Sequence, residues 1–260
     1  MTAVTRALTH VTINGHRLDV APPHPPSTGA PWVVFLHEGL GSAAQWRDYP
    51  ARVASATGCG TLVYSRRGYG RSEPRPRPWP DDFMAPEAIE TLPALLAHVG
   101  IERPVLFGHS DGGTIALVFA AAFPGACAGI ISIAAHVMSE DITGSSIMAA
   151  RQRFLAGPLR EVLRRQHGDH TDDTALGWTE AWLRVGAWDM RPSLPAITCP
   201  VLVIQGRDDE FGTLAQVDAI AQGVGGPVET LVLDHCGHAP QREKRKEVLA
   251  AVTRFIRQLT

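Results

Sequence analysis

The sequence predicts an α/β protein with a mostly parallel β-sheet and helices on both of its faces. Short β-branched or aliphatic segments alternate with longer segments of helical periodicity along most of the chain. Strand and helix in repetition indicate parallel strands joined by right-handed crossovers. The strand segments are continuously apolar, which is typical of a sheet covered on both faces. With 45% hydrophobic and 19% charged residues, the composition is that of an ordinary globular chain.

An antiparallel hairpin is expected first, over Leu8–Val20, because polar and apolar residues alternate on both sides of the dipeptide Asn14-Gly15. This dipeptide tolerates the positive φ angles of a type I′ turn. Six further strands are expected after it, which makes an eight-stranded sheet. They are Trp32–Leu36, Thr61–Tyr64, Pro104–Phe107, Gly129–Ile133, Val201–Ile204 and Val228–Leu233.

Helical periodicity lies between most of these strands and after the last one. The expected helices are Ala43–Ala56, Pro86–Val99, Thr114–Phe123, Thr213–Gln222 and Gln241–Leu259.

About 60 residues separate the strand that ends near Ala135 from the one that begins near Val201, which is too many for a single crossover. Helical patterns also fill this stretch. We therefore expect one domain, residues 1–260, whose core at 1–135 and 196–260 carries a helical cap inserted at about 136–195. Such a cap would cover the crevice outside the carboxyl ends of the strands. Its expected helices are Ile147–Leu155, Leu159–Gln166 and Ala175–Leu183.

The composition excludes several classes of partner. The 24 basic and 26 acidic residues leave a net charge of −2, so no overall field attracts nucleic acid or an anionic membrane. The apolar segments are shorter than the roughly 20 residues that a bilayer crossing needs. The four cysteines lack a disulfide or metal-ligand spacing, so no metal is expected. A small-molecule partner and, since Met1–Gly15 lacks a signal-peptide pattern, a cytoplasmic location are expected; a homodimer stays open.

The segment 108–113 reads GHSDGG and follows an expected strand directly before an expected helix. This is the G-x-S-x-G motif in its required context of strand, sharp turn and helix. It presents Ser110 at a helix N-terminus, where N–H groups and the helix dipole favour developing negative charge. The alternative is a glycine-rich turn of a nucleotide-binding fold, with Ser110 as a helix cap.

Three more segments stand at the ends of expected strands. Residues 37–42 read HEGLGS, residues 206–210 read GRDDE and residues 234–240 read DHCGHAP. Together with the serine motif, they resemble the α/β-hydrolase superfamily, specifically the small capped serine hydrolases that include esterases, lactonases and carbon–carbon bond hydrolases. The resemblance covers nearly all of residues 8–260. It implies the α/β-hydrolase fold and chemistry without a cofactor.

The resemblance implies three catalytic residues. Ser110 would be the nucleophile, and His238 the base, because an imidazole can take and return a proton at neutral pH. Asp209 stands three residues after the glycine of its motif and would orient His238. Asp141 or Glu140, after the preceding strand, is the alternative acid.

The same resemblance places the two N–H donors of an oxyanion hole at Gly39 and Asp111. Glu38 departs from the family pattern, which commonly has glycine there. One interpretation is a carboxylate that caps the helix beginning near Ser42. The other is a carboxylate that faces the pocket and contacts the substrate.

The expected cap contains Trp178 and Trp182, which share a helix face at i, i+4 spacing. With His136 they either pack the cap onto the core or line a pocket for a hydrophobic or aromatic acyl group. Five arginines follow the second parallel strand and are expected to brace loops, to attract an anionic group or to form a solvated basic loop. They are Arg66, Arg67, Arg71, Arg75 and Arg77.

These observations predict a serine hydrolase, most similar to carboxylesterases. Its substrate would be small and partly hydrophobic or aromatic, and the bond an ester, lactone, thioester or activated C–C bond cleaved through an acyl-enzyme. An acyltransferase or perhydrolase on the same triad stays open, as does a ligand receptor of this fold with little turnover. A serine nucleophile argues against the aspartate-based dehalogenases and epoxide hydrolases.

Overall fold

The structure, a computed structural model, describes residues 9–259. Leu8, at which the hairpin was expected to begin, lies outside these residues, as do the rest of segment 1–8 and Thr260. Eight strands form one sheet. They are β1 (Thr9–Ile13), β2 (His16–Val20), β3 (Trp32–Leu36), β4 (Gly60–Ser65), β5 (Val105–His109), β6 (Gly129–Ile133), β7 (Val201–Gly206) and β8 (Val228–Leu233).

The strands are arranged in the order β1-β2-β4-β3-β5-β6-β7-β8. The pairs β1–β2 and β2–β4 are antiparallel, and every other neighbouring pair is parallel. The predicted eight-stranded, mostly parallel sheet with an N-terminal antiparallel hairpin is therefore confirmed. Because the parallel strands share one direction, the loops after β3, β5, β7 and β8 meet at one edge of the sheet.

Ten α-helices lie within residues 9–259. They are α1 (Tyr49–Thr57), α2 (Met84–Pro86), α3 (Leu92–Val99), α4 (Asp111–Ala122), α5 (Asp141–Leu155), α6 (Pro158–His167), α7 (Thr171–Arg184), α8 (Ala215–Gly223), α9 (Pro240–Glu243) and α10 (Arg245–Gln258). The described residues also contain a π-helical turn at Glu87–Thr91 and three 3₁₀ segments, which are Ala43–Trp46, Gly168–His170 and Arg191–Ala196. None of the helices within residues 9–259 combines the length and the hydropathy that a membrane span requires.

Helices cover both faces of the sheet, as predicted. Successive side chains of a strand point to opposite faces. Accordingly, Val34 and Leu36 of β3 belong to one hydrophobic cluster, whereas Val33 and Phe35 belong to another. The first cluster includes residues of α3, α4 and α8, and the second includes residues of α1 and α10.

Two predicted helices are each divided in two. The segment predicted as a helix over Ala43–Ala56 is a 3₁₀ turn followed by α1, because Arg47 between them adopts a φ of +51°. Pro50 is the second residue of α1 and lies in its first turn, where the missing N–H of proline costs no hydrogen bond. The last predicted helix is likewise α9 and α10, which meet at Lys244.

Helices α5, α6 and α7 lie between β6 and β7, and we call them the inserted helices. Phe154, Leu163 and Ala175 form a small hydrophobic cluster among them, and Leu40 of the core packs against it. Trp178 of α7 belongs to the main cluster of the core. The inserted helices are therefore packed both on one another and on the sheet domain.

Close backbone packing fixes the turn that follows β5. A Cβ atom added to Gly112 would lie 2.0 Å from the carbonyl oxygen of Leu36, at the end of β3. Gly144, in α5, has nothing within 4 Å of the equivalent position and is exposed. Substitution by alanine should therefore have opposite effects on stability at these two glycines.

We expect Gly112→Ala to lower the free energy of unfolding by about 3 kcal/mol or more, because the methyl group would overlap backbone that cannot move independently. Gly144→Ala should raise it by about 0.5–1 kcal/mol, because alanine reduces the entropy lost when the helix forms. Urea unfolding followed by circular dichroism measures both. Wild-type stability in the Gly112→Ala protein would contradict the packing described for this turn.

Candidate active site

Ser110 stands between β5 and α4 with φ +52° and ψ −120°, a backbone conformation that residues with side chains rarely adopt. Hydrogen bonds on both sides hold it there. The Ser110 N–H donates to the carbonyl of Ile133 (2.8 Å), and its carbonyl accepts from Gly113 (2.8 Å) and Thr114 (3.0 Å). The strain is therefore maintained by β6 and α4, and it presents the hydroxyl at the N-terminus of α4.

A hydrogen-bond chain extends from this hydroxyl. The Ser110 Oγ lies 2.9 Å from Nε2 of His238, and Nδ1 of His238 lies 2.8 and 2.9 Å from the two carboxylate oxygens of Asp209. An ionised carboxylate only accepts hydrogen bonds, so Nδ1 carries the proton and Nε2 of the neutral ring is free to accept one from the serine. The structure thus brings together three residues predicted from separate motifs.

The environment keeps Asp209 ionised. Burial alone would raise the pKa of Asp209, but the hydrogen bond and charge of His238 and the N–H of Phe211 (2.8 Å) hold the pKa below its usual value. The carboxylate therefore stays charged at neutral pH and can orient the imidazole and stabilise its protonated form.

The alternative acids lie elsewhere. The Glu140 carboxylate accepts hydrogen bonds from the N–H of Thr213 (3.0 Å), its hydroxyl (2.5 Å) and the amide of Gln216 (2.6 Å). Asp141 is the first residue of α5. Glu140 thus ties the inserted helices to the segment before α8, and Asp209 is the acid that contacts His238.

The two predicted oxyanion donors are the backbone N–H groups of Gly39 and Asp111. Within residues 9–259, neither the N–H of Gly39 nor the N–H of Asp111 donates to another group of the chain. Asp111 follows Ser110 directly and begins α4, while Gly39 lies in the loop after β3. Both N–H groups therefore have no hydrogen-bond partner within the described residues, and their role as oxyanion donors stays a prediction.

The side chain of Asp111 is not solvated. Its carboxylate accepts the indole N–H groups of Trp178 (2.9 Å) and Trp182 (3.2 Å) and lies 3.6 Å from the buried guanidinium of Arg66. Trp178 also covers the loop after β3, since a Cβ atom on Gly39 would lie 2.1 Å from its indole nitrogen. Helix α7 is thus attached both to the serine turn and to the predicted oxyanion loop.

Aromatic rings surround His238. The ring centroid of Phe211 is 4.6 Å from that of His238, and the ring of His136 is 6.1 Å away. His136 lies 5.5 Å from Trp182, and its Nε2–H donates to the Phe211 carbonyl (3.1 Å). Burial, and secondarily the positive charge that His238 carries when it is protonated, lowers the pKa of His136, so this ring is neutral. No motif in the sequence marks Phe211, so its place beside His238 was not predicted.

Glu38 belongs to the predicted oxyanion loop, and its side chain contacts Arg242 of α9. Its carboxylate is 3.1 Å from the guanidinium of Arg242 and 3.5 Å from Nδ1 of His109. Burial opposes its charge, but His109 and Arg242 hold the pKa of Glu38 well below its usual value. Within the described chain it makes no hydrogen bond to the 3₁₀ turn Ala43–Trp46, so the capping interpretation is not supported, and contact with the substrate stays a prediction.

The arginine-rich loop is largely paired. Arg67 lies 3.2 Å from Glu73, and Arg77 lies 2.8 Å from Glu180 of α7. The guanidinium of Arg75 stacks over the ring of Trp79. These arginines therefore brace neighbouring segments. As for metals, residues 9–259 contain no group of three or more side chains arranged to hold an ion.

The chain is similar in sequence to known proteins. The sequence profile of the alpha/beta hydrolase family matches residues 33–252, which is most of the chain. A 2-hydroxy-6-oxo-6-phenylhexa-2,4-dienoate hydrolase from Comamonas testosteroni is 26% identical over 257 residues, covering 87% of this chain and 87% of that protein.

Solved structures resemble the fold. The enol-lactonase from Burkholderia xenovorans LB400 has a TM-score of 0.74 and 21% identity and covers 95% of this chain and 99% of its own. A thermophilic esterase from Thermogutta terrifontis has a TM-score of 0.73 and 20% identity and covers 97% and 99%. At these identities the likeness bears on the fold alone.

One contact between the inserted helices and the core depends on a neutral histidine. His167, at the end of α6, accepts the Gly70 N–H at Nδ1 (2.9 Å) and donates from Nε2 to the carbonyl of Leu40 (3.1 Å). The side chain is buried, and burial lowers the pKa of His167 to about 4. Protonation would place a hydrogen on Nδ1, against the N–H of Gly70, so it opposes folding.

Stability should therefore fall as the pH falls from 6.5 towards 4, because in this range the unfolded state binds a proton that folded His167 rejects. The contribution of His167 to the free energy of unfolding is about 3 kcal/mol, and it is fully present above pH 6.5. Urea unfolding at several pH values should give a shallower pH dependence for His167→Gln, whose amide can donate and accept without titrating. Equal slopes for both proteins would contradict the assignment.

Proposed function

The chain belongs to the alpha/beta hydrolase family, and we propose that it is a serine hydrolase that cleaves an acyl bond of a small, partly hydrophobic substrate. One observation carries the proposal, namely the unbroken hydrogen-bond chain from Asp209 through His238 to Ser110. This arrangement activates a hydroxyl that would otherwise be a weak nucleophile.

In the proposed first step, the Ser110 oxygen attacks the substrate carbonyl while Nε2 of His238 takes the hydroxyl proton. Asp209 holds the imidazole in the required tautomer and stabilises its positive charge. The N–H groups of Gly39 and Asp111 stabilise the oxyanion of the tetrahedral intermediate. Collapse of this intermediate breaks the bond to the leaving group, which receives the proton from His238.

In the second step, water attacks the acyl-enzyme and His238 takes a proton from it. A second tetrahedral intermediate forms at the same donors and collapses, releasing the acid product. His238 returns the proton to Ser110, so the free enzyme is restored. No cofactor is needed for either step.

The surroundings of His238 support an uncharged, partly aromatic acyl group. Phe211 and neutral His136 lie beside the imidazole, and Trp182 packs against His136. The buried charge of Asp111 is already balanced by Arg66. Apolar walls with few polar groups are typical of pockets for small hydrophobic ligands. We propose a carboxylic ester as the bond cleaved first, with lactones and thioesters as related substrates.

Cleavage of an activated C–C bond is the second candidate. The hydrolase from Comamonas testosteroni, which is named for such a dienoate substrate, aligns with most of this chain. An acyltransferase or perhydrolase would use the same acyl-enzyme with another nucleophile in place of water, and a receptor would bind ligand without turnover.

We also propose that residues 136–195 form the cap over the site and that the protein is located in the cytoplasm.

Substitution of the triad tests the proposal with p-nitrophenyl acetate and butyrate. We expect Ser110→Ala and His238→Ala each to lower kcat by about 1000-fold or more, because these residues act as a unit. Asp209→Asn should lower it by a comparable factor, because the amide favours the wrong tautomer of His238.

The matched control is His235→Asn, three residues from His238 in the same loop. His235 is exposed with a φ of +51°, and asparagine tolerates that conformation. Its kcat should stay within twofold of wild type. Wild-type rates in Ser110→Ala, or equal losses in both histidine variants, would refute the mechanism. Esters, lactones, acyl thioesters and vinylogous diketones assayed with wild type and Ser110→Ala would identify the bond.

A further inference from the structure

Arg66 is a buried arginine at the end of β4 that the proposed mechanism leaves without a role. Its side chain is 2% exposed. The Nη2 group donates to two consecutive carbonyls of the loop after β3, those of His37 (3.2 Å) and Glu38 (3.0 Å). The same nitrogen lies 3.6 Å from the carboxylate of Asp111. One guanidinium thus contacts both segments that carry the proposed oxyanion donors.

The contact with Glu38 fixes the direction of the first donor. The carbonyl of Glu38 and the N–H of Gly39 belong to one planar trans peptide group and point in opposite directions. This carbonyl accepts hydrogen bonds from Arg66, from Nδ1 of His37 (2.7 Å) and from the Gly41 N–H (3.1 Å). Holding the carbonyl therefore aims the N–H of Gly39 away from Arg66.

The contact with Asp111 bears on the second donor. Asp111 is the first residue of α4. Its side chain contacts Arg66 on one side and Trp178 and Trp182 on the other. The residue is thereby fixed at both its backbone and its carboxylate. A planar, forked guanidinium suits such a bridge better than a flexible ammonium does.

Arg66 is itself immobilised. Its backbone N–H donates to Nε2 of His37 (3.1 Å), and its guanidinium lies 4.5 Å from the ring centroid of Tyr69. Its neighbour Arg67 differs in burial and in partner, because its side chain is 28% exposed and pairs with Glu73. The two adjacent arginines therefore form a matched pair in which only one reaches the site.

We propose that Arg66 is the positioning residue that assembles the oxyanion hole, by holding the Glu38–Gly39 peptide and Asp111 in one arrangement. This inference rests on the proposed function, because it assigns a role within the same reaction. A positioning role predicts a loss in binding of the tetrahedral intermediate and little change in binding of the ground state.

A trifluoromethyl ketone and its carbinol separate these two effects. The ketone accepts the Ser110 oxygen at its carbonyl carbon, the serine proton passes to His238, and the former carbonyl oxygen becomes the oxyanion. The carbinol has no carbonyl and binds without forming a bond. We expect Arg66→Met to weaken inhibition by the ketone about 100-fold, the magnitude typical of one lost donor, and by the carbinol less than threefold.

Three further variants complete the test. Arg67→Met should leave both inhibition constants unchanged. Arg66→Met combined with Asp111→Asn should show the same loss as Arg66→Met, which excludes an unpaired buried carboxylate as its cause. Arg66→Lys keeps the charge without the fork and should lose about tenfold in ketone binding; it also serves if the methionine variant does not fold by circular dichroism.

Equal ketone binding in the Arg66 variants and wild type, or equal weakening of ketone and carbinol, would overturn the inference. So would recovery of ketone binding in the double variant. If wild type binds the ketone no more tightly than the carbinol, the proposed function itself fails and the inference falls with it. That result is distinct, because it concerns the wild-type protein alone.

Discussion

A strained turn between β5 and α4 holds Ser110 at φ +52°, and the neighbouring elements are arranged around it. The carbonyl of Ile133 in β6 accepts the Ser110 N–H, and Gly112 packs directly on the carbonyl of Leu36 at the end of β3. The turn is therefore locked between the two strands that flank β5. This locking places the hydroxyl beside the loops after β3, β7 and β8, where the rest of the site lies.

The second organising element is the buried group formed by Arg66, Asp111, Trp178 and Trp182. The desolvation of a buried ion pair offsets much of its attraction, so we interpret its value here as geometric. It connects three segments that the sheet alone does not connect, namely the loop after β3, the serine turn and helix α7. Helix α7, one of the inserted helices, thus contacts the serine turn directly through Trp178 and Trp182.

The sequence predicted the parts of this protein that depend on local pattern. Continuous apolar segments marked the strands, and the G-x-S-x-G motif marked Ser110. The resemblance to the α/β-hydrolase superfamily selected Asp209 and His238, and the structure brings these three residues into contact. It could not predict contacts between distant positions. The bond from Trp178 to Asp111 spans 67 residues, and Glu38 and Arg242 are 204 residues apart. Such contacts depend on tertiary packing. The break of the predicted first helix at Arg47, where φ is +51°, was also not predicted.

If Ser110 is the nucleophile of a serine hydrolase, a fluorophosphonate should label it covalently. The folded protein would be treated with a fluorophosphonate, digested, and its peptides mapped by mass spectrometry. We expect one phosphonyl group per chain, located on Ser110, and much slower labelling in Asp209→Asn because the amide favours the wrong tautomer of His238. No adduct on the wild-type protein, or an adduct on a residue other than Ser110, would contradict this expectation.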